Sequence, residues 1–409
     1  MVTKKFKKIF SEEELRILYF KKIYHNSVPG IDRINRKNFE LNLHKNLKII
    51  ERKVLNASYS FTPYKEKLII KGRDSTPRII SIPTIRDKLT LKALNELLIF
   101  VFSDKINTKI VQTIIHSIKS VIKSNNYDSF IKLDIEKFYP SINHELLFRK
   151  IRRKLRKKEV IILLEKAIKN KTVVKSKLER DYNTVGIPQG LSISNILSSI
   201  YMWDIDRKYG SNDHFSYFRY VDDILILCKK DMLFNIKEKL IKDLNHIDLK
   251  INEKKTLDGF IYNGFQYLGY KYNDNIFSVR KRSVDNLKES IINTFAQYKY
   301  SRNSNIKILE WKLNLRITGC KFENQKYGWI FFFSQIDDLN LLYKLDWFVR
   351  RMFSRFDINY SDLKIKKFVR TYLEITKNLS NTKYIPDFST FDISQKKELL
   401  REIFNIKNH

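Results

Sequence analysis

Phe218-Arg219-Tyr220-Val221-Asp222-Asp223-Ile224-Leu225-Ile226-Leu227-Cys228 sets two adjacent acids inside an apolar, strand-forming run. The Phe- and Tyr-rich arm before them and the Ile-Leu-Ile-Leu-Cys arm after them read as a β-hairpin whose second strand is buried. Asp222 and Asp223 then fall at its tight turn. Adjacent carboxylates repel, and apolar surroundings sharpen the repulsion. A divalent cation relieves it, so the stretch asks for metal chemistry.

A second acidic centre lies upstream. Phe130-Ile131-Lys132-Leu133-Asp134-Ile135 is a short apolar strand ending in Asp134, followed by Glu136, Lys137, Phe138, Tyr139 and Pro140. An Asp at the end of one strand, beside a hairpin carrying two more, builds a carboxylate cluster from separate elements. Two Mg²⁺ ions about 4 Å apart suit such oxygen ligands and can flank an in-line phosphoryl displacement. Either acid alone is unremarkable, because Asp is common at strand ends and turns. Between the two centres runs Gly186-Ile187-Pro188-Gln189-Gly190, then Leu191-Ser192-Ile193-Ser194-Asn195-Ile196-Leu197. A Gly/Pro-fixed loop feeding a helix holds backbone amides and one amide side chain against a ligand. The histidines form no nucleophile–base or metal pattern, with His116 read as structural, and no Ser/His/Asp triad or Walker loop occurs. Catalysis on this reading rests on metals and positioning.

Asp-Ile-x-x-Phe-Tyr, Gly-Ile-Pro-Gln-Gly-Leu-Ser-Ile-Ser-Asn and Tyr-Val-Asp-Asp, in that order and at plausible spacing, resemble palm motifs A, B and C of reverse transcriptases. Val28-Pro29-Gly30-Ile31-Asp32 and the stretch from Pro77 to Lys88 are similar to the two fingers motifs of bacterial and group II intron-like enzymes. Leu249-Lys250-Ile251-Asn252-Glu253-Lys254-Lys255-Thr256 resembles motif D, and Phe265-Gln266-Tyr267-Leu268-Gly269-Tyr270 resembles the primer grip. The resemblance covers about residues 25–275. It implies an α+β right-hand polymerase fold, with fingers, a ferredoxin-like palm of antiparallel sheet and helices, and an α-helical thumb with a C-terminal helical extension.

The same resemblance assigns roles. Asp134 and Asp222 would ligate both metals, the Ile135 carbonyl would complete a site, and Asp223 would take a weaker or supporting part. Tyr139 lies where the family places its steric gate, the ring that rejects a 2′-hydroxyl. Lys71 and Arg78 match cations that hold the incoming triphosphate, with Arg73 competing with Lys71. Gln189 matches the residue beside the incoming sugar and template. Lys255 matches the motif D lysine that protonates pyrophosphate, with Lys254 as an alternative. Tyr267, Leu268 and Gly269 would contact the primer.

Bulk properties agree with a polyanionic partner. Among 409 residues, 79 Lys and Arg stand against 45 Asp and Glu, a net charge of +34 spread along the chain. Nucleic acid is the leading partner for such a surface. A content of 43% hydrophobic and 13% aromatic residues excludes a mainly disordered chain. The only cysteines, Cys228 and Cys320, have no ligand-spaced neighbours, which argues against a zinc site or disulfide framework. No apolar run approaches the roughly 18 residues of a membrane helix, and the N-terminus lacks a signal peptide's apolar core, so a soluble, cytoplasmic protein is expected.

Composition shifts near 275–280, dividing a fingers and palm core over 1–275 from a helical thumb and nucleic-acid-binding extension over 276–409. The spacings Leu287, Ile291, Phe295, Tyr298 and Leu341, Leu345, Phe348, Met352, Phe356 predict amphipathic helices there. Basic side chains interleave with Trp311, Trp329 and Trp347, although most of these aromatics are expected in the core. The remaining length is too short for a separate RNase H, integrase or HNH domain, and compact basic enzymes of this kind resemble the bacterial defence-associated reverse transcriptases. That implies cDNA synthesis from dNTPs on a dedicated non-coding RNA, as template or scaffold, in protection against phage. A retron-type enzyme, a non-catalytic RNA-binding scaffold and RNA-templated RNA synthesis are the alternatives. The priming group and oligomeric state stay open.

Overall fold

The computed structural model describes residues 1–24, 28–70, 77–106, 109–174, 183–301, 305–323, 325–361, 363–389, 391–392 and 394–395. The chain packs as two compact units, residues 1–108 with 131–257, and residues 109–130 with 258–409. The composition shift near 275–280 therefore falls inside the second unit. Helix Val111–Lys123 joins that unit through tertiary bonds that local sequence does not encode. Gln112 donates to the Phe331 carbonyl at 3.2 Å, and Lys119 reaches the Gln335 carbonyl at 3.0 Å and Asp337 at 2.6 Å.

In the first unit β1 (Tyr64–Ile69) pairs antiparallel with β2 (Arg78–Ile82). A second sheet holds β3 (Ser129–Asp134), β5 (Ser216–Tyr220) and β6 (Asp223–Cys228) in the order β5-β6-β3, and β7 (Leu257–Phe260) begins on the last residue of this unit. The two-residue β4 (Thr172–Val173) runs parallel to β1. Residues 224–228 are fully buried. A central strand covered on both faces has no solvent side to be polar, which is why the apolar run after Asp223 does not alternate. Helix Ser194–Gly210 packs on β5. Its Ile196, Leu197, Ile200 and Tyr201 join Ile131, Leu133, Ile224 and Ile226 in one core cluster.

The fingers stretch from Pro77 to Lys88 folds as β2 followed by a capped helix, Ile85–Phe102. Thr84 caps it, its hydroxyl accepting from the Asp87 amide at 3.2 Å. Asp87 is completely buried and accepts from Tyr59 Oη at 2.7 Å, Thr84 Oγ1 at 2.8 Å and the Thr62 amide at 3.1 Å. Those three donors offset the burial that pushes its carboxyl pKa up.

In the second unit β8 (Phe265–Tyr267), β9 (Tyr270–Asn273) and β10 (Ile276–Val279) form an antiparallel meander. A short hairpin, β11 (Cys320–Phe322) with β12 (Gln325–Tyr327), sits among helices Lys281–Lys299, Ile306–Thr318, Trp329–Phe332, Leu339–Arg355 and Phe368–Lys377. Both expected amphipathic helices form. In the first, Leu287, Ile291 and Phe295 are buried as their spacing requires. In the second, the buried stripe is Leu342, Leu345, Val349, Met352 and Phe353, so Leu341 and Phe348 lie at its edge. Phe348 instead lies under the Lys288 ammonium, 5.3 Å from the ring centre. Trp329 is half-buried and donates to the Ser283 carbonyl at 3.3 Å, whereas Trp347 is 60% exposed with Arg351 over its ring. Among the described residues no helix is long and apolar enough to cross a membrane.

Candidate active site

Tyr220 pairs with Asp223 across the β5–β6 hairpin, leaving Val221 and Asp222 as the two turn residues. Val221 takes φ +57° there, a conformation that a β-branched residue adopts only under constraint. The constraint is visible in its neighbour. Arg219 is 7% exposed and grips both carboxylate oxygens of Asp206 on helix Ser194–Gly210, Nε to Oδ1 at 2.6 Å and Nη2 to Oδ2. Its Nη1 donates to the Val221 carbonyl at 2.8 Å, tying the acidic turn to that helix. Tyr217 donates to the same Asp206 at 2.9 Å. Neither Arg219 nor Asp206 was singled out from sequence. The available signal was a charged residue in a largely aromatic strand that pairs with a buried one, where burial of the charge requires a partner.

Backbone bonds bring Asp134 to this turn. The Ile135 amide donates to the Asp222 carbonyl at 3.2 Å. On its other side Ile135 bridges Ile251, through Glu136 N to Lys250 O at 2.8 Å and Asn252 N to Asp134 O at 2.7 Å. That bridge uses the carbonyls of Asp134 and Lys250 and leaves the Ile135 carbonyl out. The motif D segment thereby sets Lys255, whose ammonium lies 3.0 Å from Asp134 Oδ2. Sequence left Lys254 and Lys255 as alternatives, and the 3₁₀ turn Glu253–Lys255 aims Lys255 at the carboxylate.

The three carboxylates feel one another. Burial raises the Asp222 pKa, and the Asp134 charge raises it further, against Arg78 and Lys255. Asp223 is pushed up to about 6 by burial, then by Asp222 and Asp134, against Lys132 and Lys255. Carboxylate and carbonyl oxygens crowded with excess negative charge are the donor chemistry of a hard dication such as Mg²⁺, so the residues fit the expected ion. Among the described residues, no group of three or more His, Cys, Asp or Glu side chains is assembled closely enough to hold a metal as it stands.

The glycine-rich loop is bolted to the same region. Ile187 N donates to Tyr139 O at 2.8 Å, Gly186 N to Ile142 O at 2.9 Å, and the Ser81 amide of β2 to Gln189 O at 2.7 Å. Gly186 has φ +86°, and a Cβ there would lie 2.7 Å from the Pro140 carbonyl oxygen, so only glycine lets the loop approach. His144 Nε2 donates to the Gly186 carbonyl at 2.6 Å, and burial holds its pKa down. Gln189 is half-buried beside this junction.

Tyr139 is half-buried, and its hydroxyl donates to Asn195 Oδ1 at 2.5 Å. Burial raises its pKa, with a contribution from the Asp222 charge, which places the ring in the field of the acidic turn. Asn195 lies in the motif B stretch, and its part as the acceptor for Tyr139 emerges only in the fold. Arg78, at the start of β2, is exposed and acts on Asp222 electrostatically. Lys71 and Arg73 lie outside the described residues. The expected primer-grip residues belong to the second unit. Tyr267 is buried there, and Leu268 and Gly269 form a two-residue turn with φ +49° and +87°, the left-handed pair that tight hairpins use.

Residues 69–272 match the family described as reverse transcriptase (RNA-dependent DNA polymerase). The chain is 24% identical to protein YkfC of Escherichia coli, covering 71% of this chain and 86% of YkfC. It is 25% identical to a putative COX1/OXI3 intron 1 protein of Saccharomyces cerevisiae, over 49% of this chain and 31% of that protein. Among solved structures, apo telomerase from Candida tropicalis aligns over 84% of this chain and 62% of its own, with 15% identity and a TM-score of 0.47.

Proposed function

We propose that this chain, an RNA-directed DNA polymerase by virtue of its reverse transcriptase domain over residues 69–272, copies a dedicated non-coding RNA into cDNA in bacterial antiphage defence in the cytoplasm. The single observation that supports the polymerase chemistry in these residues is electrostatic. Asp134 comes from one motif and Asp222 and Asp223 from another, and, after burial, the Asp134 charge raises the pKa of both Asp222 and Asp223, with Asp222 raising Asp223 further. Two Mg²⁺ ions, when held by Asp134 and Asp222 with the Ile135 carbonyl, supply charge neutralisation at the attacking hydroxyl and the leaving pyrophosphate.

The chain's own groups do the rest. Arg78 on β2 presents a cation to the triphosphate of a dNTP, and by the motif resemblance Lys71 or Arg73 supplies a second. Tyr139, held by Asn195, sets its ring against the sugar and excludes a 2′-hydroxyl. Gln189, on a loop bonded to both β2 and the Tyr139 turn, orients the nucleotide. Lys255, already beside Asp134, is placed to give a proton to the departing pyrophosphate. The turn at Leu268 and Gly269 contacts the primer strand. The resemblance to defence-associated enzymes supports the defence role and the dedicated RNA, and the +34 charge supports a nucleic-acid partner.

The test is to purify the protein with its co-purifying RNA, add dNTPs with Mg²⁺, and sequence both nucleic acids. DNA complementary to one recurrent RNA is expected, and Asp222→Ala/Asp223→Ala should abolish both that DNA and protection in a phage plaque assay. Protection that survives the double substitution would reject cDNA synthesis as its cause.

A further inference from the structure

The second unit contains a cavity of about 790 Å³ that no sequence motif accounts for. It lies among helices Lys281–Lys299, Ile306–Thr318 and Trp329–Phe332. Trp311, Trp329, Phe332 and Phe333 supply its aromatic surface. Lys312 and Arg316 stand one turn apart on a single helix, and among the described residues no acidic side chain lines the cavity. Arg316 is exposed yet fixed, its Nε donating to Thr294 Oγ1 at 2.8 Å and its Nη1 to Ser290 Oγ. The exposed amides of Asn286 and Gln297 complete the lining chemistry.

Each class of group asks for a different part of one ligand. Flat rings favour a flat π-surface, and base–aromatic stacking is the sequence-tolerant way to hold a nucleobase. Two cations without a carboxylate favour a phosphate. Side-chain amides can both donate to and accept from a base edge. A lipid or apolar peptide would leave the cations and amides unmatched. A paired base inside a duplex cannot present its face to the rings. Phe333 and Phe332 also flank the Leu268 and Gly269 turn, lying 3.3 Å and 3.8 Å from where a Gly269 Cβ would be.

We propose that this cavity binds one unpaired nucleotide of a single-stranded RNA segment, its base against the aromatic wall and its phosphate at Lys312 and Arg316. The proposal rests on the reading of the chain as an enzyme that works on RNA, but its test measures binding and needs no DNA synthesis. Full-length wild-type protein is cross-linked to a single-stranded oligoribonucleotide carrying one 4-thiouridine, and the cross-linked peptide is mapped. The same oligoribonucleotide, a blunt RNA duplex and a matched DNA oligonucleotide are titrated by fluorescence anisotropy against wild type, Phe332→Ala and Lys312→Gln. Phe332 is 39% exposed, the folding of Phe332→Ala is checked by its thermal melt, and the cross-link on wild type is independent of any variant. The cross-link should fall on Trp311, Trp329 or Phe332, and Phe332→Ala should weaken single-stranded RNA binding roughly 5- to 100-fold, as loss of one stacked ring does. Lys312→Gln should weaken it also and flatten its salt dependence. Duplex binding should not change. Cross-links elsewhere with unaltered affinities, equal losses for duplex and single strand, or equal losses for DNA and RNA would each overturn the assignment.

Discussion

Replacing Asp223 by Asn should stabilise the first unit and at the same time cripple DNA synthesis. The Asp223 carboxyl is held at about 6 instead of its ordinary 3.8, chiefly by burial and then by the Asp222 and Asp134 charges. A gap of about 2 pKa units corresponds to roughly 3 kcal/mol at most, because each unit is worth about 1.4 kcal/mol. The group is partly reached by water, so a gain of about 1–3 kcal/mol is expected for the isosteric amide. The sign follows from proton binding. With its pKa raised in the folded state, Asp223 binds a proton more tightly folded than unfolded, so its penalty is absent below about pH 4. The penalty grows as pH rises from 3.8 toward 6 and is complete above 6. Thermal melts of wild type and Asp223→Asn in EDTA at pH 8 and at pH 4 provide the assay. At pH 8 the variant should melt higher by about 5 °C, and at pH 4 the two should coincide. Synthesis with Mg²⁺ should fall on the order of a hundred-fold. A variant that melts no higher than wild type at pH 8, or whose gain is the same at both pH values, would refute the idea that like-charge crowding strains this turn.

Arg219→Gln breaks a buried bidentate pair and should cost about 3–5 kcal/mol, measured by urea unfolding. The paired change Arg219→Met/Asp206→Leu should recover part of that stability but not the synthesis rate. Lys255→Ala should lower the single-turnover incorporation rate on the order of a hundred-fold, while Lys254→Ala leaves it unchanged, as read by rapid quench. Asn195→Ala removes the hydrogen bond that orients Tyr139, worth about 1 kcal/mol, so the preference for dNTP over rNTP should narrow about five-fold. Tyr139→Ala should narrow it further, and competition assays on one template measure both.

Local sequence carried much of this protein. The apolar run after Asp223, the strand ending at Asp134 and the Gly/Pro punctuation of the 186–190 loop are all written in short stretches of neighbouring residues. The hairpin, the strand and the loop follow from apolar runs and backbone permissiveness alone. Helix existence was likewise legible from spacing, although the buried face of Leu339–Arg355 was set by helices Lys281–Lys299 and Phe368–Lys377, which pack against it.

What only the tertiary structure decided is which side chains meet across long separations. Arg219 finds Asp206, Tyr139 finds Asn195, and Lys255 rather than Lys254 reaches Asp134. Helix Val111–Lys123 packs with the C-terminal unit, so the packing boundary departs from the composition boundary. Sequence pattern encodes the period of a helix or strand, which fixes the face a residue occupies. Partner choice for a polar group is fixed by where the chain returns, because a half-buried charge or hydroxyl must be satisfied by whatever donor or acceptor the fold brings to it.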